Sequence, residues 1–261
     1  MAEVNQSERA ARAWPILIDV ARSARKITYG TIGKQLGIHH RTVRYVLSEI
    51  QDYCLAEKLP PITILVVDQK EGKPGTGFIA WDVDDLDHGL ERVYGHPWSS
   101  LDNPFSFALQ GDSIDSIASA IVRQEIAPAD AYAKVKVRGK AQQVFRAALI
   151  RAYGGRCALS DFRIESLLEA AHLIPWQSAG PEQRLDPCNG ILLSVMHHKM
   201  FDIGMFTITE DYRVCADFDG IPKNSAEREI LTKLDGGTLR LPKNESLWPN
   251  SSYIKIRNGL S

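Results

Sequence analysis

The sequence predicts an α+β fold with two domains. A chain of 261 residues is long enough for two cores of modest size. In residues 1–95, apolar side chains recur at the three- and four-residue spacing of helices, and a β-like run follows them. In residues 135–261, two short β-like segments, the second beginning at an Asn-Gly pair, precede another helix. We therefore predict one domain in each of these ranges and a helical connector over residues 96–134.

Three helices are predicted at the start of the amino-terminal domain. Apolar residues at helical spacing predict the first from Ser7, which would cap it, to about Ala24. A short helix is predicted over residues 31–36 and a longer one over residues 40–57, with Gly37 as the turn between them. A short helix, a turn and a longer helix are typical of a helix-turn-helix.

A hairpin is predicted to follow these helices. Residues 62–67 are a β-type run, a glycine-rich tip comes next, and a return strand is predicted over residues 78–81. This order is typical of a winged helix-turn-helix, which places its second helix in the major groove of DNA. The side chains expected to contact DNA are Arg41 and Arg44 in the groove and Lys70 and Lys73 on the adjoining backbone. A winged helix used for protein contacts or dimerisation would show the same pattern.

Residues 27–37, with the sequence ITYGTIGKQLG, resemble the start of the DNA-binding domain of O6-alkylguanine transferases and alkyltransferase-like proteins. The transferases have a Pro-Cys-His-Arg motif where this chain has Pro-Pro-Ile-Thr at residues 60–63. The alkyl-accepting thiol is therefore absent, and the resemblance implies the scaffold alone.

Composition and charge set broad limits. The formal net charge is −1, yet residues 134–163 contain eight basic side chains and a single acid, Asp161, which suits a surface that meets phosphate. A solvated charged face would look the same. No run of about 18 apolar residues occurs and the amino terminus lacks the order of a secretory signal, so neither a membrane span nor secretion is expected. The four cysteines are scattered, which favours free thiols and a cytoplasmic location.

Three segments of the carboxy-terminal domain carry candidate chemistry. SLLEAAHLIPW is a predicted β-strand with His172 near its end, and DPCNGILLS turns at Asn189 into a second strand. VMHHKMFDIGMFTI contains a predicted helix that carries His198 and Asp202. Because these two residues are four apart, both side chains leave one face of the helix and can hold one cation. Residues 211–261 are predicted to form short strands and turns that pack on this core.

With the upstream segment QQVFRAALIRAYGGRCALS, these blocks resemble the HNH endonuclease superfamily, the ββα-metal nucleases, and are most similar to its restriction-type branch. The resemblance covers about residues 135–210. It implies that His172 is the general base that activates water, that Asn189 ties the turn between the strands, and that His198 binds a metal ion. It also implies Asp202 as a second ligand. A residue that only caps or braces the helix is the alternative for Asp202.

The expected cofactor is one divalent metal ion. Many relatives carry a metal-binding Asp or His immediately before the base, and this chain has Ala171 there. The ion would therefore be held by His198, Asp202, water and the substrate phosphate. Imidazole and carboxylate ligands suit Mg²⁺, Mn²⁺ or Zn²⁺, and we favour Mg²⁺ or Mn²⁺. A structural zinc is not expected, because Cys157 has no second cysteine at CxxC spacing.

The expected partner is double-stranded DNA, cut by a homodimer because one active site cuts one strand. The phosphate contacts predicted for the nuclease domain are Lys140, Arg146, Arg151 and His197. A DNA-reading domain ahead of such a nuclease resembles restriction enzymes, conventional or modification-dependent. Two alternatives stay open. One is an inactive HNH scaffold that acts as a DNA-binding regulator, and the other is a partner-controlled defence nuclease that cuts single strands or RNA.

Overall fold

A computed structural model describes residues 5–135 and 138–259 of the chain. The chain divides into two compact units, Met1–Ser113 and Ile114–Ser261. None of the helices in these described stretches is long and apolar enough to cross a membrane. The cysteines are free thiols, as the sequence predicts.

The amino-terminal unit is built on helices and one pair of short parallel strands. Its elements are α1 Gln6–Arg22, β1 Ile27–Thr28, α2 Tyr29–Leu36, α3 Val43–Ala56, β2 Val66–Val67 and α4 Leu86–Gly95, with 3₁₀ turns at His40–Thr42, Ile62–Leu65, Trp98–Ser100 and Ser106–Gln110. The core centres on Trp14 of α1, whose ring lies edge-on to Tyr53 of α3 at 5.5 Å and to Trp98 at 5.9 Å. Such edge-to-face contacts between large buried rings hold α1 against α3.

The predicted succession of a short helix, a glycine turn and a longer helix is present. Gly37 ends α2 with a φ of +70°, a left-handed conformation that favours glycine. Gly33 lets the following chain approach α2 closely, since a Cβ there would lie 3.0 Å from the carbonyl oxygen of Ile38. The start of α1 differs slightly from the prediction, because Asn5 and not Ser7 caps it.

The predicted hairpin is not formed. Ile62–Leu65 is a 3₁₀ turn, and β2 pairs with β1 instead of with a return strand. In the described part of this unit, residues 78–81 contain no strand. The cause lies in Pro60 and Pro61, which fix φ and lack N–H donors. The amide of Ile64 bonds to the carbonyl of Pro61 at 2.8 Å and tightens the chain into a turn.

The carboxy-terminal unit combines helices with small antiparallel sheets. Its elements are α5 Ile114–Val122, α6 Pro128–Val135, α7 Arg138–Ala152, β3 Leu168–His172, α8 Pro181–Arg184, β4 Gly190–Ser194, α9 Val195–Asp202, β5 Phe206–Ile208, β6 Val214–Ala216, α10 Ala226–Leu234 and α11 Ser251–Arg257, with 3₁₀ turns at Glu165–Leu167, Pro187–Asn189 and Glu245–Leu247. Pro128 begins α6, because proline suits the first turn of a helix. The region after residue 211, predicted as strands and turns, contains the helices α10 and α11 as well.

A close contact between α7 and β4 positions the two strands of the site. β3 and β4 pair in antiparallel fashion, with His172 opposite Gly190. A Cβ at Gly190 would lie 2.4 Å from Cζ of Phe145 and 2.6 Å from Cδ1 of Leu149, both on α7. Glycine at this position therefore allows α7 to lie directly against β4. The order β3, β4, α9 is the strand–strand–helix order that the sequence predicts.

Candidate active site

The candidate site lies where β3, β4 and α9 meet. β3 ends at His172, and α9 begins directly after β4. Ser194 caps α9, because its hydroxyl accepts a hydrogen bond from the amide of His197 at 3.2 Å. This fixed start sets the direction of the helix face that carries His198 and Asp202.

Asn189 connects the end of β3 to the start of β4. Its Oδ1 accepts a hydrogen bond from the amide of Ile174 at 2.8 Å. Its Nδ2 donates to the carbonyls of Ile174 and Gln183 at 3.3 and 3.0 Å. The side chain is fully buried, so removing it would leave several buried polar groups unpaired. The structure thus places Asn189 where it ties the turn between the strands.

Aromatic side chains enclose the ring of His172. It stacks on Phe145 with 3.8 Å between ring centroids and 16° between planes, and it lies edge-on to Trp176 at 5.9 Å. Its Nε2 lies 3.2 Å from the carbonyl oxygen of Arg184. Because a carbonyl can only accept, Nε2 of the neutral ring carries the proton and Nδ1 keeps the lone pair. Nδ1 is therefore the basic nitrogen.

Burial lowers the pKa of His172 to about 4, and the nearby charge of His198 adds to the decrease. The hydrogen bond to the Arg184 carbonyl opposes both effects. The imidazole is consequently neutral at pH 7 and can accept a proton. A pKa so far below 7 makes it a weak base in the absence of substrate.

His198 lies between two carboxylates. Its Nδ1 is 2.6 Å from Oε2 of Glu169 on β3, and its Nε2 is 3.4 Å from Oδ2 of Asp202, one helical turn further along α9. The shorter contact is a hydrogen bond from the ring to the carboxylate, which leaves the lone pair on Nε2. Asp202 also faces Arg257 of α11 at 3.6 Å.

The donors of this cluster fit a weakly held divalent ion. Two ligands that are each about 2.1 Å from one ion lie roughly 3 to 3.5 Å apart. The 3.4 Å between Nε2 of His198 and Oδ2 of Asp202 is in this range. A histidine that binds a metal commonly donates its other ring N–H to a carboxylate, which is the place that Glu169 takes. No group of three or more His, Cys, Asp or Glu side chains in the described residues could hold a metal, so an ion would need further ligands from water or substrate.

The base and the carboxylate cluster lie on different faces of β3. Side chains alternate along a strand, so Glu169, which contacts His198, and His172 point to opposite faces. His172 lies against Phe145 of α7. The charge of His198 still acts on His172, so the two imidazoles are within electrostatic range of each other. The site is therefore arranged around the end of β3.

Residues 157–209 match the protein-family model described as HNH endonuclease. The match supports the presence of an HNH domain in this part of the chain. This segment contains β3, β4 and α9, with His172, Asn189, His198 and Asp202 among its residues. No curated protein matches the chain. The match supports nuclease activity, that is, the hydrolysis of phosphodiester bonds.

The placement of His197 corrects a prediction for the HNH domain. It was expected to contact phosphate or to lie on the surface, but it is 4% exposed, and its Nδ1 lies 3.5 Å from Sγ of Cys157. Neighbouring residues on a helix point in different directions, so His197 faces the buried Cys157 while His198 faces Glu169. Burial alone would raise the pKa of the Cys157 thiol, but bonds from His197 and the surrounding donors outweigh burial and lower it to about 7.

The basic side chains expected to follow the DNA backbone are largely engaged within the carboxy-terminal unit. Lys140 is 4% exposed, which corrects the prediction of a surface contact, because the face of α7 that carries it packs into the unit. Arg146 donates from Nε to the carbonyl of Leu168 at 3.0 Å and braces the start of β3. Arg151 pairs with Asp115 of α5 at 2.6 Å and remains one-third exposed.

The predicted DNA contacts of the amino-terminal unit are all exposed. Arg41 and Arg44 line a cavity of about 510 Å³ at the start of α3. The guanidinium of Arg44 lies over the ring of Tyr45, 4.7 Å from its centroid. Lys70 and Lys73 lie on the turn that follows β2.

Sequence reasoning did not assign two groups that contact the candidate catalytic residues. Glu169, the partner of His198, lies three residues before the base, and strand alternation was the signal that could have placed it on the face opposite His172. Arg184 orients His172 through its backbone carbonyl. Every residue has a carbonyl, so no side-chain pattern could have identified Arg184.

Proposed function

We propose that this protein is a metal-dependent DNA endonuclease of the restriction type, with His172 as its general base. One observation carries the proposal, namely the arrangement around the end of β3. There, a neutral imidazole with its lone pair on Nδ1 lies on one side, and His198, held by Glu169 and spaced for a shared cation with Asp202, lies on the other.

His172 takes the proton of the attacking water. The carbonyl of Arg184 holds Nε2, so Nδ1 keeps a fixed orientation, and that hydrogen bond strengthens as the ring gains charge. A substrate phosphate beside the ring raises the pKa of the imidazole, because a negative charge favours its protonated form. General-base assistance of this kind contributes about 10²–10⁴ in rate.

His198 and Asp202 are the residues that would hold the divalent ion, and Glu169 fixes the tautomer of His198. When bound, such an ion stabilises charge on the leaving oxygen and orients the phosphate. HNH nucleases generally use a divalent metal. Mg²⁺ or Mn²⁺ suits a site with few protein ligands, because both ions readily keep water in their coordination shell.

Double-stranded DNA is the proposed substrate, read by the amino-terminal unit. The exposed Arg41 and Arg44 line a cavity together with tyrosine side chains, and guanidinium and aromatic groups are those that contact nucleobases. This chemistry supports reading of a base, including a modified one. A homodimer would allow both strands to be cut.

The deciding experiment incubates methylated and unmethylated plasmids with the full chain in Mg²⁺ or Mn²⁺. We expect nicked and linear products that disappear with a chelator, and a preference for one plasmid would establish dependence on modification. Failure to cut either plasmid, single strands or RNA in any of these ions would overturn the nuclease proposal. Cutting confined to single strands or RNA would overturn the duplex substrate.

Matched histidine variants distinguish cleavage by this protein from cleavage by a contaminating nuclease. His172→Ala should remove cleavage and leave DNA affinity nearly unchanged. His88→Ala, which alters an exposed histidine of α4, should cut like the wild type. Equal cutting by both variants would show that His172 is not the base.

The second candidate is an inactive HNH scaffold that serves as a DNA-binding regulator. Ala171, in the place where many relatives have a ligand, and the lack of a three-ligand group in the described residues favour it. It predicts DNA binding that is independent of metal, with no nicking under any condition above.

A further inference from the structure

We infer a second ligand site in the carboxy-terminal unit, a cavity that binds a nucleotide through its phosphates and its base. The cavity has a volume of about 650 Å³ and is formed by the end of α7 and the segment around residues 240–247. The basic side chains that line it are Arg151, Arg156, Arg163, Arg240 and Lys243. Among the described residues, those lining it include none of Glu169, His172, His198 and Asp202. The inference is therefore independent of the proposed cleavage chemistry.

The cavity carries more positive charge than its own carboxylates neutralise. The ion pairs that involve its lining are Asp115 with Arg151, and Asp161 with Arg156 and with Arg240. Two carboxylates against five basic side chains leave an excess of three positive charges. Arg163 and Lys243 are exposed and form no ion pair within the described part of the chain.

The crowding of the guanidinium groups has a cost that the ion pairs with Asp115 and Asp161 offset only in part. Partial burial and the charges of Arg240 and Arg163 lower the pKa of Arg156. The Nε of Arg156 is buried and has no hydrogen-bond partner among the described residues. Like charges held together and a buried donor left unpaired both destabilise a fold. An anion in the cavity would relieve both, which is why the cluster points to a phosphate-bearing ligand.

Apolar side chains complete the lining and argue against an inorganic anion. They are Val122, Ala152, Leu241 and Leu247. A free phosphate gains nothing from contact with an apolar surface, whereas a nucleobase can pack against one. A cavity of about 300–1,000 Å³ is typical of small-molecule sites. A terminal phosphate carries about −2 at pH 7 and an internal one about −1, so an excess of three positive charges matches an occupant with two phosphate groups.

The occupant we assign is a nucleotide with two phosphate groups, and such a ligand has two sources. It can be a free nucleoside diphosphate, or the phosphorylated end of a nucleic-acid strand, where the terminal and the next phosphate are adjacent. Both present a base and two phosphates to the same cavity.

Isothermal titration calorimetry of the full chain with ADP in the presence of a chelator tests the assignment. We expect saturable binding of one ADP per chain, weakened at least tenfold in the double variant Arg163→Glu, Lys243→Glu. The control is Lys223→Glu, Lys233→Glu, which changes the net charge equally at two exposed lysines outside the cavity. All four positions are exposed, and thermal unfolding checks that both double variants fold. Equal weakening in the two variants would overturn the site.

The source of the ligand is resolved by further titrations. A 5′-phosphorylated hexanucleotide that binds more tightly than its unphosphorylated twin would support the strand end, and ADP binding without this difference would support the free nucleotide. Absence of saturable binding both with ADP and with the phosphorylated hexanucleotide overturns the inference. Pyrophosphate binding as tightly as ADP would overturn the role of the apolar lining and, with it, the nucleotide. None of these readouts requires cleavage, so their failure is separate from failure of the nuclease proposal.

Discussion

His172 and His198 belong to one HNH domain, yet their surroundings are opposite. The ring of His172 is stacked on Phe145 and bonded to a carbonyl, and no carboxylate is among its described contacts. His198 lies between Glu169 and Asp202. Burial without an acid favours a neutral ring in His172, whereas the carboxylates of Glu169 and Asp202 favour a bound cation beside the ring of His198. The same side chain is thus suited to accept a proton on one side of β3 and to hold a cation on the other.

If the two histidines have these separate roles, the largest expected effect is on the cleavage rate of His172→Ala. Loss of the base should slow plasmid nicking by about 10²–10⁴. Binding of Mn²⁺ should be unchanged, because the ligands lie on the other face of β3. His198→Ala should lose Mn²⁺ binding and nicking together. Single-turnover nicking and calorimetry measure the two properties, and loss of Mn²⁺ binding in His172→Ala would show that the two sides are not separable.

The next effect is the loss of stability at low pH that the burial of His172 contributes. Its pKa is about 4 in the fold against a reference value of 6.5, so the unfolded chain takes up the proton first as pH falls. The free energy of unfolding keeps its full contribution from the buried neutral ring above pH 6.5. It falls as the pH decreases from 6.5 to 4 and levels off below pH 4, a total loss of about 3 kcal/mol. Urea unfolding of the wild type and His172→Gln over this range measures it. Carboxylates titrate in both proteins and cancel in the difference, so parallel curves would contradict the burial argument.

Local signals made much of the fold predictable. Helical periodicity gave α1 to α3, and Gly37 marked a turn that needs a positive φ. The hairpin could not be predicted correctly, because the β-type run of residues 62–67 is opposed by the two preceding prolines and β2 pairs with a distant partner, β1.

The site was predictable in its residues but not in its surroundings. Asn189 and His198 were singled out by the resemblance of their motifs to the HNH superfamily, whereas the burial of Lys140 and His197 depends on which side of a helix meets the core. Hydrophobic periodicity identifies the buried face of a helix poorly when polar residues lie on that face. The stack of His172 on Phe145 joins residues on separate elements, and no local pattern encodes such a contact.

A smaller effect is expected from Glu169→Gln, which tests how much the carboxylate contributes to metal binding at His198. The amide keeps the shape of the side chain and removes the negative charge that orients and polarises His198. Loss of such a partner weakens metal binding about 10- to 100-fold. Glu165→Gln is the matched control, since Glu165 is an exposed glutamate just before β3 that faces Arg146. Mn²⁺ titration and the Mn²⁺-induced rise in melting temperature measure the effect, and equal affinities in the two variants would remove Glu169 from the cation site.

The smallest effect is expected from Gly190→Ala, which changes only the packing behind His172. Gly190→Ala would place a methyl group 2.4 Å from Cζ of Phe145, the ring on which His172 stacks. Overpacking of this kind destabilises a fold by about 1–3 kcal/mol. Gly95→Ala, where no atom lies within 4 Å of the added carbon, is the control and should be near neutral. Because the displaced ring contacts the base and not the carboxylate cluster, nicking should slow while Mn²⁺ affinity stays constant. A variant that lost Mn²⁺ affinity and kept its nicking rate would mean that α7 supports the cation side of β3 and not the base.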